Sequence, residues 1–140
     1  MFTISYATLD DKKYVCTGAN LSESEFELKV RDKRCYIFYH EEKRIGVMVY
    51  NLIFDFIPFL TMFYVENPHK GKGFGKQAVL HWEDEMRRNG YKMVMTSTEV
   101  NESAQDFYRK LGYKDMGSIV MGGILQFDQH VLEMFMGKDL

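Results

Sequence analysis

One segment, residues 59–76, constrains this chain more than any other, because it joins a charge-free apolar run to a turn rich in glycine and lysine. Its first part, FLTMFYV at 59–65, contains only apolar or β-favouring residues and therefore predicts a buried strand. After the polar letters ENPH comes KGKGFGK at 70–76, in which alternate glycines leave backbone amides uncovered. The lysines add positive charge at the open amino end of the helix that follows. The segment therefore predicts a strand, a turn that binds a phosphate group, and a helix.

Two familiar phosphate-binding loops do not fit the spacing of this turn. A Walker loop has a glycine five residues before its Gly-Lys pair and a hydroxyl residue after it, whereas this chain has Lys70 and Gln77 at those positions. The dinucleotide fingerprint GxGxxG requires a third glycine where Lys76 stands. The spacing therefore disfavours both a nucleoside triphosphate and a dinucleotide as the ligand.

The order that remains is a strand, a short polar turn, Lys70, two residues, Gly73, one residue, Gly75 and a helix. It resembles the acetyl-CoA loop of the GNAT superfamily of N-acetyltransferases, in which Arg or Gln usually stands where this chain has Lys70. A second stretch, NESAQDFYRKLGY at 101–113, is similar to the pattern N..A..FYxKLGF of the same family. The two motifs and the elements between and before them span roughly half of the chain.

The resemblance implies an α/β (α+β) fold with a mixed, mostly antiparallel central sheet of about six to seven strands, a splayed parallel pair of strands and about four flanking helices. The hydrophobic patterns agree with it, predicting strands at 2–8, 35–40, 45–54, 59–65, 91–98, 113–121 and 131–136, and helices at 9–19, 22–32, from the glycines to 89–90, and at 102–111. Pro58 is expected to mark the turn before the fourth strand. Trp82 is expected to pack in the core, and the acidic run at 83–85 to face solvent.

Length and composition favour one domain over residues 1–140. At 140 residues and 46% hydrophobic content, the chain can bury one core. Its net charge of −2, with lysine and arginine dispersed along the sequence, indicates no nucleic-acid partner. No apolar run reaches the roughly 18 residues of a membrane span, and the amino end does not read as a leader, so we expect a cytoplasmic protein. The 4 histidines and 2 cysteines show no ligand spacing, and no metal site is expected.

The resemblance further implies acetyl-CoA as the co-substrate. The cofactor-binding residues expected from it are Phe63, Tyr64, Val65, Lys70, Gly71, Lys72, Gly73, Phe74, Gly75, Lys76, Asn101, Ala104 and Tyr108. Acetyl transfer needs a donor for the thioester carbonyl oxygen as it gains charge, and backbone amides at 63–65 are the expected donors, because the resemblance places the parting of two strands there. Asn101 is expected to bond the pantetheine arm.

Tyr108 stands at the position of the family's usual general acid. A thiol of pKa about 8.5 facing a phenol of pKa about 10 makes complete proton transfer uphill by about 2 kcal/mol, so Tyr108 is expected to stabilise the thiolate more by a hydrogen bond. The base that removes a proton from the amine is left open: Glu99 is one candidate, and Asp55, Glu66 and Glu133 are others. Direct transfer is expected, because no activated Cys or Ser beside a His is visible to form an acyl-enzyme.

The function implied is therefore acetyl-CoA-dependent N-acetyl transfer to a primary amine of a small molecule, peptide or protein. The alternative, from another class, is a non-catalytic acyl-CoA-binding module with a decayed acceptor site. The alternative is favoured by the strand at 59–65, which has Phe59 where some family members carry a Glu, whereas Tyr108 and Asn101 favour the enzyme. A homodimer formed through the apolar last strand is an expectation that comes from the fold type alone.

Overall fold

A computed structural model of the chain describes residues 1–99, 103–120, 122 and 132–140. The strands are β1 (Phe2–Tyr6), β2 (Cys35–His40), β3 (Lys43–Ile53), β4 (Ile57–Val65), β5 (Met93–Glu99), β6 (Lys114–Val120) and β7 (Leu132–Asp139). The helices are α1 (Lys12–Gly18), α2 (Glu23–Arg31), α3 (Phe74–Arg88) and α4 (Ala104–Lys110), and short 3₁₀ turns cover Leu9–Asp11 and Asn67–His69. None of the helices in these ranges is long and apolar enough to cross a membrane.

The strands form one 7-stranded sheet in the order β1-β2-β3-β4-β5-β7-β6. The sheet is mostly antiparallel, and β4 and β5 form its parallel pair. A parallel pair requires a crossover connection, and the segment that contains α3 provides it. The predicted fold class is therefore confirmed.

Contacts divide the described chain into two compact units. The first consists of Met1–Asn51 with Leu60–Asp84, and the second of Leu52–Phe59 with Glu85–Leu140. The first contains α1, α2 and the strands β1 and β2, whereas the second contains α4 and the strands β5 to β7. That residues 1–140 form a single domain stays a prediction.

The first unit is built on an antiparallel ladder in which Thr3 pairs with Tyr39 and Ile37 pairs with Val47. Buried side chains from the strands and helices pack together into one core cluster, which comprises Ala7, Val15, Ala19, Phe26, Cys35, Ile37, Val47 and Val49. The predicted start of α2 is confirmed, because the Ser22 hydroxyl accepts a hydrogen bond of 3.2 Å from the Glu25 amide.

Two glycines allow the end of β4 to lie unusually close to its neighbours. A Cβ atom on Gly46 would overlap the carbonyl oxygen of Tyr64 and the ring of Phe38, and a Cβ atom on Gly18 would overlap the Tyr64 hydroxyl. Neither glycine has a left-handed backbone, so space and not backbone conformation requires them. Tyr64 is thereby held close to α1 and β3.

Helix α3 presents a stripe of buried residues at helical spacing, formed by Ala78, Val79, Trp82, Glu83 and Met86. The prediction for Trp82 is confirmed, since its side chain is fully buried. The prediction that the acidic run at 83–85 faces solvent is wrong for Glu83, which is only 2% exposed. Glu83 follows Val79 by four residues and precedes Met86 by three, so the helix turns it onto the buried stripe.

The start of β4 and the position of β7 in the sheet differ from the sequence-based expectations. Pro58 is the second residue of β4, and the turn before it is formed by Phe54 and Asp55, whose φ angles are +54° and +68°. A proline is tolerated there because the start of a strand can lack one N–H donor. The last strand, β7, lies between β5 and β6, so the edge strands of the sheet are β1 and β6 and an edge-to-edge dimer would not form through β7.

The second unit contains the antiparallel strands β5, β7 and β6. Thr96 on β5 is opposite Met136, and Ser118 on β6 is opposite Met134. In α4, Tyr108 is buried and is hydrogen-bonded to the side chain of Thr96. This helix therefore packs on the face of β5 that carries Thr96.

Replacing Gly46 with alanine is expected to lower the free energy of unfolding by about 1–3 kcal/mol, because the added methyl group would overlap the Tyr64 carbonyl, which belongs to a paired strand. Urea-induced unfolding measures the change. Ser5→Ala, at an exposed position of β1, is the control and is expected to change the free energy by less than about 0.5 kcal/mol. Equal stability of the two variants would contradict the close approach described here.

Candidate functional site

The turn that follows β4 is held by its own backbone. The Glu66 amide donates to the carbonyl of Ile45 on β3 at 2.7 Å, and the His69 amide donates back to the carbonyl of Glu66 at 2.9 Å. The Lys70 amide then donates to the carbonyl of Asn67 at 3.1 Å. These bonds close the 3₁₀ turn and direct the chain into the glycines.

Two of the three glycines between residues 70 and 76 have left-handed backbones. Gly71 and Gly73 have φ angles of +78° and +83°, in the left-handed region that favours glycine. A Cβ atom added to either would meet no heavy atom within 4 Å, so open space lies beside this part of the backbone. The turn therefore has room for a ligand next to its peptide groups.

The helix that begins at Phe74 leaves its first amides without helical acceptors. Gln77 is the first residue whose N–H bonds to a carbonyl four residues back, that of Gly73, at 3.1 Å. The amides at 74–76 precede this bond and have no intrahelical acceptor. Helix α3 has 15 residues and no acidic side chain in its first turn, so its positive end is not neutralised from within.

Three lysines surround this helix start. Lys70, Lys72 and Lys76 are all exposed. Uncovered amides, the positive end of a helix and nearby ammonium groups together favour an anion, and a phosphate or pyrophosphate has the matching charge and hydrogen-bond acceptors. The predicted phosphate-binding turn therefore has the geometry that such a ligand requires.

An aromatic cluster that no sequence pattern predicted holds the start of α3. The Phe74 ring stacks on Phe2, with ring centroids 4.6 Å apart and planes at 6°, and its centroid lies 5.0 Å from that of His40. His40 also meets the ring of His69 in the turn, at 5.7 Å. Because Phe2 and His40 are distant from the turn in sequence, no local pattern indicated these contacts.

Tyr64, expected to contact the coenzyme through its backbone, directs its side chain toward α1. The Tyr14 hydroxyl donates to Oε2 of Glu66 at 2.5 Å. Burial, followed by this hydrogen bond, raises the pKa of Tyr14 well above its ordinary range. Burial also raises the pKa of Tyr64, while a hydrogen bond with Tyr14 partly opposes that change. Two tyrosines and a carboxylate thus form one connected group beside the turn.

This group lines a pocket of about 610 Å³ within the first unit. The pocket is lined by Asp10, Lys13, Tyr14, Thr17, Gly18, Arg44, Tyr64 and Glu66. The Arg44 guanidinium is paired with Asp11, with 2.8 Å between Nε and Oδ1. From the sequence, Glu66 was one of several candidate bases. Its surroundings could not be predicted, because they come from α1 and β3, which are distant from it in the chain.

In the second unit, Tyr108 is 5% exposed and lies against Tyr113, with ring centroids 5.3 Å apart. Burial raises the pKa of Tyr108 to about 12, although its hydrogen bond with Thr96 acts in the opposite direction. The phenol therefore keeps its proton throughout the neutral range. It can donate a hydrogen bond more readily than it can lose a proton.

The remaining predicted site residues also belong to the second unit. Glu99 is the last residue of β5 and is opposite Glu133 on β7. The Ser97 hydroxyl donates to Oε2 of Glu133 at 2.6 Å, whereas the Glu99 carboxylate has no hydrogen bond or ion pair with any described side chain. Ala104 is the first residue of α4. Asn101 lies outside the described residues.

Among the described residues, no three His, Cys, Asp or Glu side chains lie close enough together to hold a metal ion. The groups that the structure does supply are hydrogen-bond donors for an anion at the turn, a protonated phenol on α4 and carboxylates near strand ends.

Comparisons with known proteins agree with these features. The family model described as acetyltransferase (GNAT) family matches residues 6–113. Ribosomal-protein-alanine N-acetyltransferase from Brucella melitensis has a TM-score of 0.82 and 19% identity, covering 99% of both chains. Ard1 from Thermoplasma volcanium has a TM-score of 0.84 and 13% identity, covering 99% of this chain and 97% of the other. The structure of yncA from Salmonella typhimurium with its cofactor acetyl-CoA has a TM-score of 0.81 and 17% identity, covering 100% of this chain and 94% of the other. No curated protein matches.

Replacing Gly73 with alanine is expected to raise the Kd for acetyl-CoA at least about tenfold, because the methyl group would enter the space beside the turn and the left-handed backbone would be strained. Isothermal titration calorimetry measures the Kd.

Gly90→Ala is the matched control. Gly90 also has a left-handed φ, +92°, and a Cβ atom there also meets nothing within 4 Å, but it follows the carboxyl end of α3. Both variants are expected to lose about 1–2 kcal/mol of stability, and only the Gly73 variant is expected to bind acetyl-CoA more weakly. Equal weakening in both would argue against a coenzyme site at the turn.

Proposed function

This chain belongs to the acetyltransferase (GNAT) family, and from that premise we propose how its residues carry out the reaction of an acetyl-CoA-dependent N-acetyltransferase. The observation that carries the proposal is the turn at 70–76, where left-handed glycines, amides without helical acceptors and three lysines meet at the start of a helix. Acetyl-CoA, when bound, supplies the acetyl group as a thioester. The acceptor is a primary amine.

The turn is proposed to hold the pyrophosphate of the coenzyme. The amides at 71–76 would donate hydrogen bonds to it, and Lys70, Lys72 and Lys76 would neutralise its charge. The open space beside Gly71 and Gly73 supports this fit, since a side chain there would occupy the region next to the amides. The stacking of Phe74 on Phe2 supports it further by fixing the helix start.

The backbone at 63–65 is proposed to stabilise the carbonyl oxygen of the thioester while that oxygen gains charge. Such donors act most strongly where water is excluded, and Val65 is only 8% exposed. These residues lead directly into the turn, so one continuous stretch of backbone would hold both the thioester and the pyrophosphate of the coenzyme. Asn101 and Ala104 are proposed to contact the pantetheine arm.

Tyr108 is proposed to donate a hydrogen bond to the departing thiolate. With a phenol pKa of about 12 against a thiol pKa of about 8.5, complete proton transfer is uphill by about 5 kcal/mol. Burial thus more than doubles the free-energy cost of proton transfer to the thiolate, compared with a phenol of ordinary pKa. Tyr108 therefore acts by stabilising the thiolate through its O–H group while it keeps its own proton.

Glu99 is proposed to receive the proton that the acceptor amine loses. Its support is the contrast with its neighbour: Glu133 is hydrogen-bonded to Ser97, whereas the Glu99 carboxylate has no partner among the described residues. Two carboxylates on opposite strands also repel each other, which favours a cationic amine or a proton nearby.

The acceptor is proposed to be the amine of a small molecule, a peptide or a protein. The related structure from Brucella melitensis is named for a ribosomal-protein alanine, which supports the protein class. A cytoplasmic location and a homodimer also remain proposals.

Changing Tyr108 to phenylalanine is expected to lower kcat by about ten- to a thousandfold, because the thiolate loses its donor, with little change in the Kd for acetyl-CoA. Release of free thiol from acetyl-CoA, measured with a panel of primary amines, reports kcat.

Tyr113→Phe is the control, since Tyr113 is also buried and lies next to Tyr108. It is expected to keep kcat within about threefold of the unaltered protein. An unchanged kcat in the Tyr108 variant would remove Tyr108 from the mechanism. Binding of acetyl-CoA without turnover on any amine would instead support a non-catalytic acyl-CoA-binding module.

A further inference from the structure

The pocket beside α1 has a chemical character that the coenzyme does not explain. We infer that it is a binding site for a primary ammonium group, held by the carboxylate of Glu66. Glu66 borders both this pocket and a neighbouring one of about 590 Å³ that also includes Tyr14 and Arg44. Its carboxylate is therefore reachable from solvent on the α1 side of the turn.

The two oxygens of the Glu66 carboxylate have different environments. Oε2 accepts the hydrogen bond from Tyr14, whereas Oε1 has no hydrogen-bond or ion-pair partner among the described residues. Because Tyr14 holds its proton tightly, it remains the donor, and the carboxylate remains an acceptor with a fixed orientation. A fixed carboxylate with one open oxygen is suited to bind a hydrogen-bonding cation.

The balance of charge around the pocket also favours a cation. Two acidic residues and two basic residues line it, but Arg44 is already paired with Asp11, which does not line the pocket. Counting Asp11, the group has three negative and two positive side chains, which leaves a net charge of −1. The remaining basic residue, Lys13, is exposed and can turn toward solvent.

Further acceptors indicate an ammonium group with several N–H donors. The Tyr64 hydroxyl lines the pocket beside Gly18. Thr17 and Gly18 are the last residues of α1, where carbonyl groups lack intrahelical donors. A primary ammonium has three N–H groups to distribute among these oxygens, whereas a quaternary ammonium has none. The ring of Tyr64 offers apolar surface for the carbon chain of such a ligand, whereas the guanidinium of Arg44 lies over the ring of Tyr14, 5.9 Å from its centroid.

Glu66 would hold the amine in its charged form. A neighbouring carboxylate favours the charged form of an amine, because opposite charges attract. The site therefore binds and orients the amine as its ammonium ion. The ligand could be the amine that is acetylated or a second amine that is not, and both share this chemistry.

Butylamine is the probe that tests the inference. Titrated at neutral pH into the protein saturated with coenzyme A, it is expected to shift the backbone NMR signals of Thr17, Gly18 and Glu66 in a saturable manner. Butyltrimethylammonium, of equal charge but without N–H donors, is expected to produce no saturable shift. Absence of a butylamine effect at these residues, or equal binding of the two ions, would overturn the inference.

Glu66→Gln removes the charge and keeps an oxygen for the Tyr14 hydroxyl, so the fold is expected to persist. The Kd for butylamine is expected to rise about ten- to a hundredfold, because the variant loses a charge-assisted hydrogen bond to the ammonium group. Glu23→Gln makes the same charge change at an exposed position of α2 that lines neither pocket, and it is expected to change the Kd by less than about twofold. Equal effects of the two variants would refute the assignment to Glu66.

Two further measurements distinguish an acetylated amine from a second bound amine, and the ammonium site from the proposed coenzyme turn. If butylamine is acetylated and its KM rises in the Glu66 variant, the site holds the acceptor; if butylamine binds there without being acetylated, the site holds a second amine. The coenzyme site is monitored independently by the signals of Gly71 and Gly73 during titration with coenzyme A. Loss of those shifts alone would count against the proposed coenzyme turn and not against the ammonium site.

Discussion

Backbone N–H groups without helical acceptors between residues 71 and 76 are the feature on which the proposed site depends. They stay open because Gly71 and Gly73 take left-handed conformations and because the first turn of any helix leaves its amides unpaired. The rest of the first unit holds this turn in place. The bond from the Glu66 amide to Ile45 joins it to β3, and the stacking of Phe74 on Phe2 joins the helix start to β1. A flexible loop of the same composition would have to lose conformational freedom on binding, whereas this turn is already ordered.

Burial changes the chemistry that Tyr108 can perform. In water a phenol and a thiol differ little in acidity, so a tyrosine could protonate a departing thiolate at modest cost. On α4 the side chain is buried, its pKa is raised to about 12, and Thr96 contacts its hydroxyl. A hydrogen bond from such a group is strong in an environment of low dielectric constant, and complete transfer is not required. The residue type is thus less informative about mechanism than the environment in which it lies.

Glu66 connects the coenzyme turn with α1. Its backbone closes the turn, and its side chain is oriented by Tyr14 and borders a pocket. Gly18 allows this arrangement, because any side chain there would displace Tyr64. A ligand that binds the Glu66 carboxylate would therefore contact the residue that begins the 3₁₀ turn, and this turn leads into the proposed coenzyme-binding segment at 70–76.

The sequence by itself predicted strands and helices from apolar residues at strand and helical periods, and a phosphate-binding turn from alternate glycines at a helix start. The arrangement of the strands in the sheet was implied by a family resemblance that two local motifs carry. The sequence did not show that Glu83 is buried, that Phe2 and His40 pack on Phe74, or that Tyr14 orients Glu66. Those features join residues that are far apart in the chain, or depend on which face of a helix meets the sheet. Only the tertiary structure decides them, because long-range contacts produce no local pattern in the sequence. The same holds for the pKa values that burial shifts.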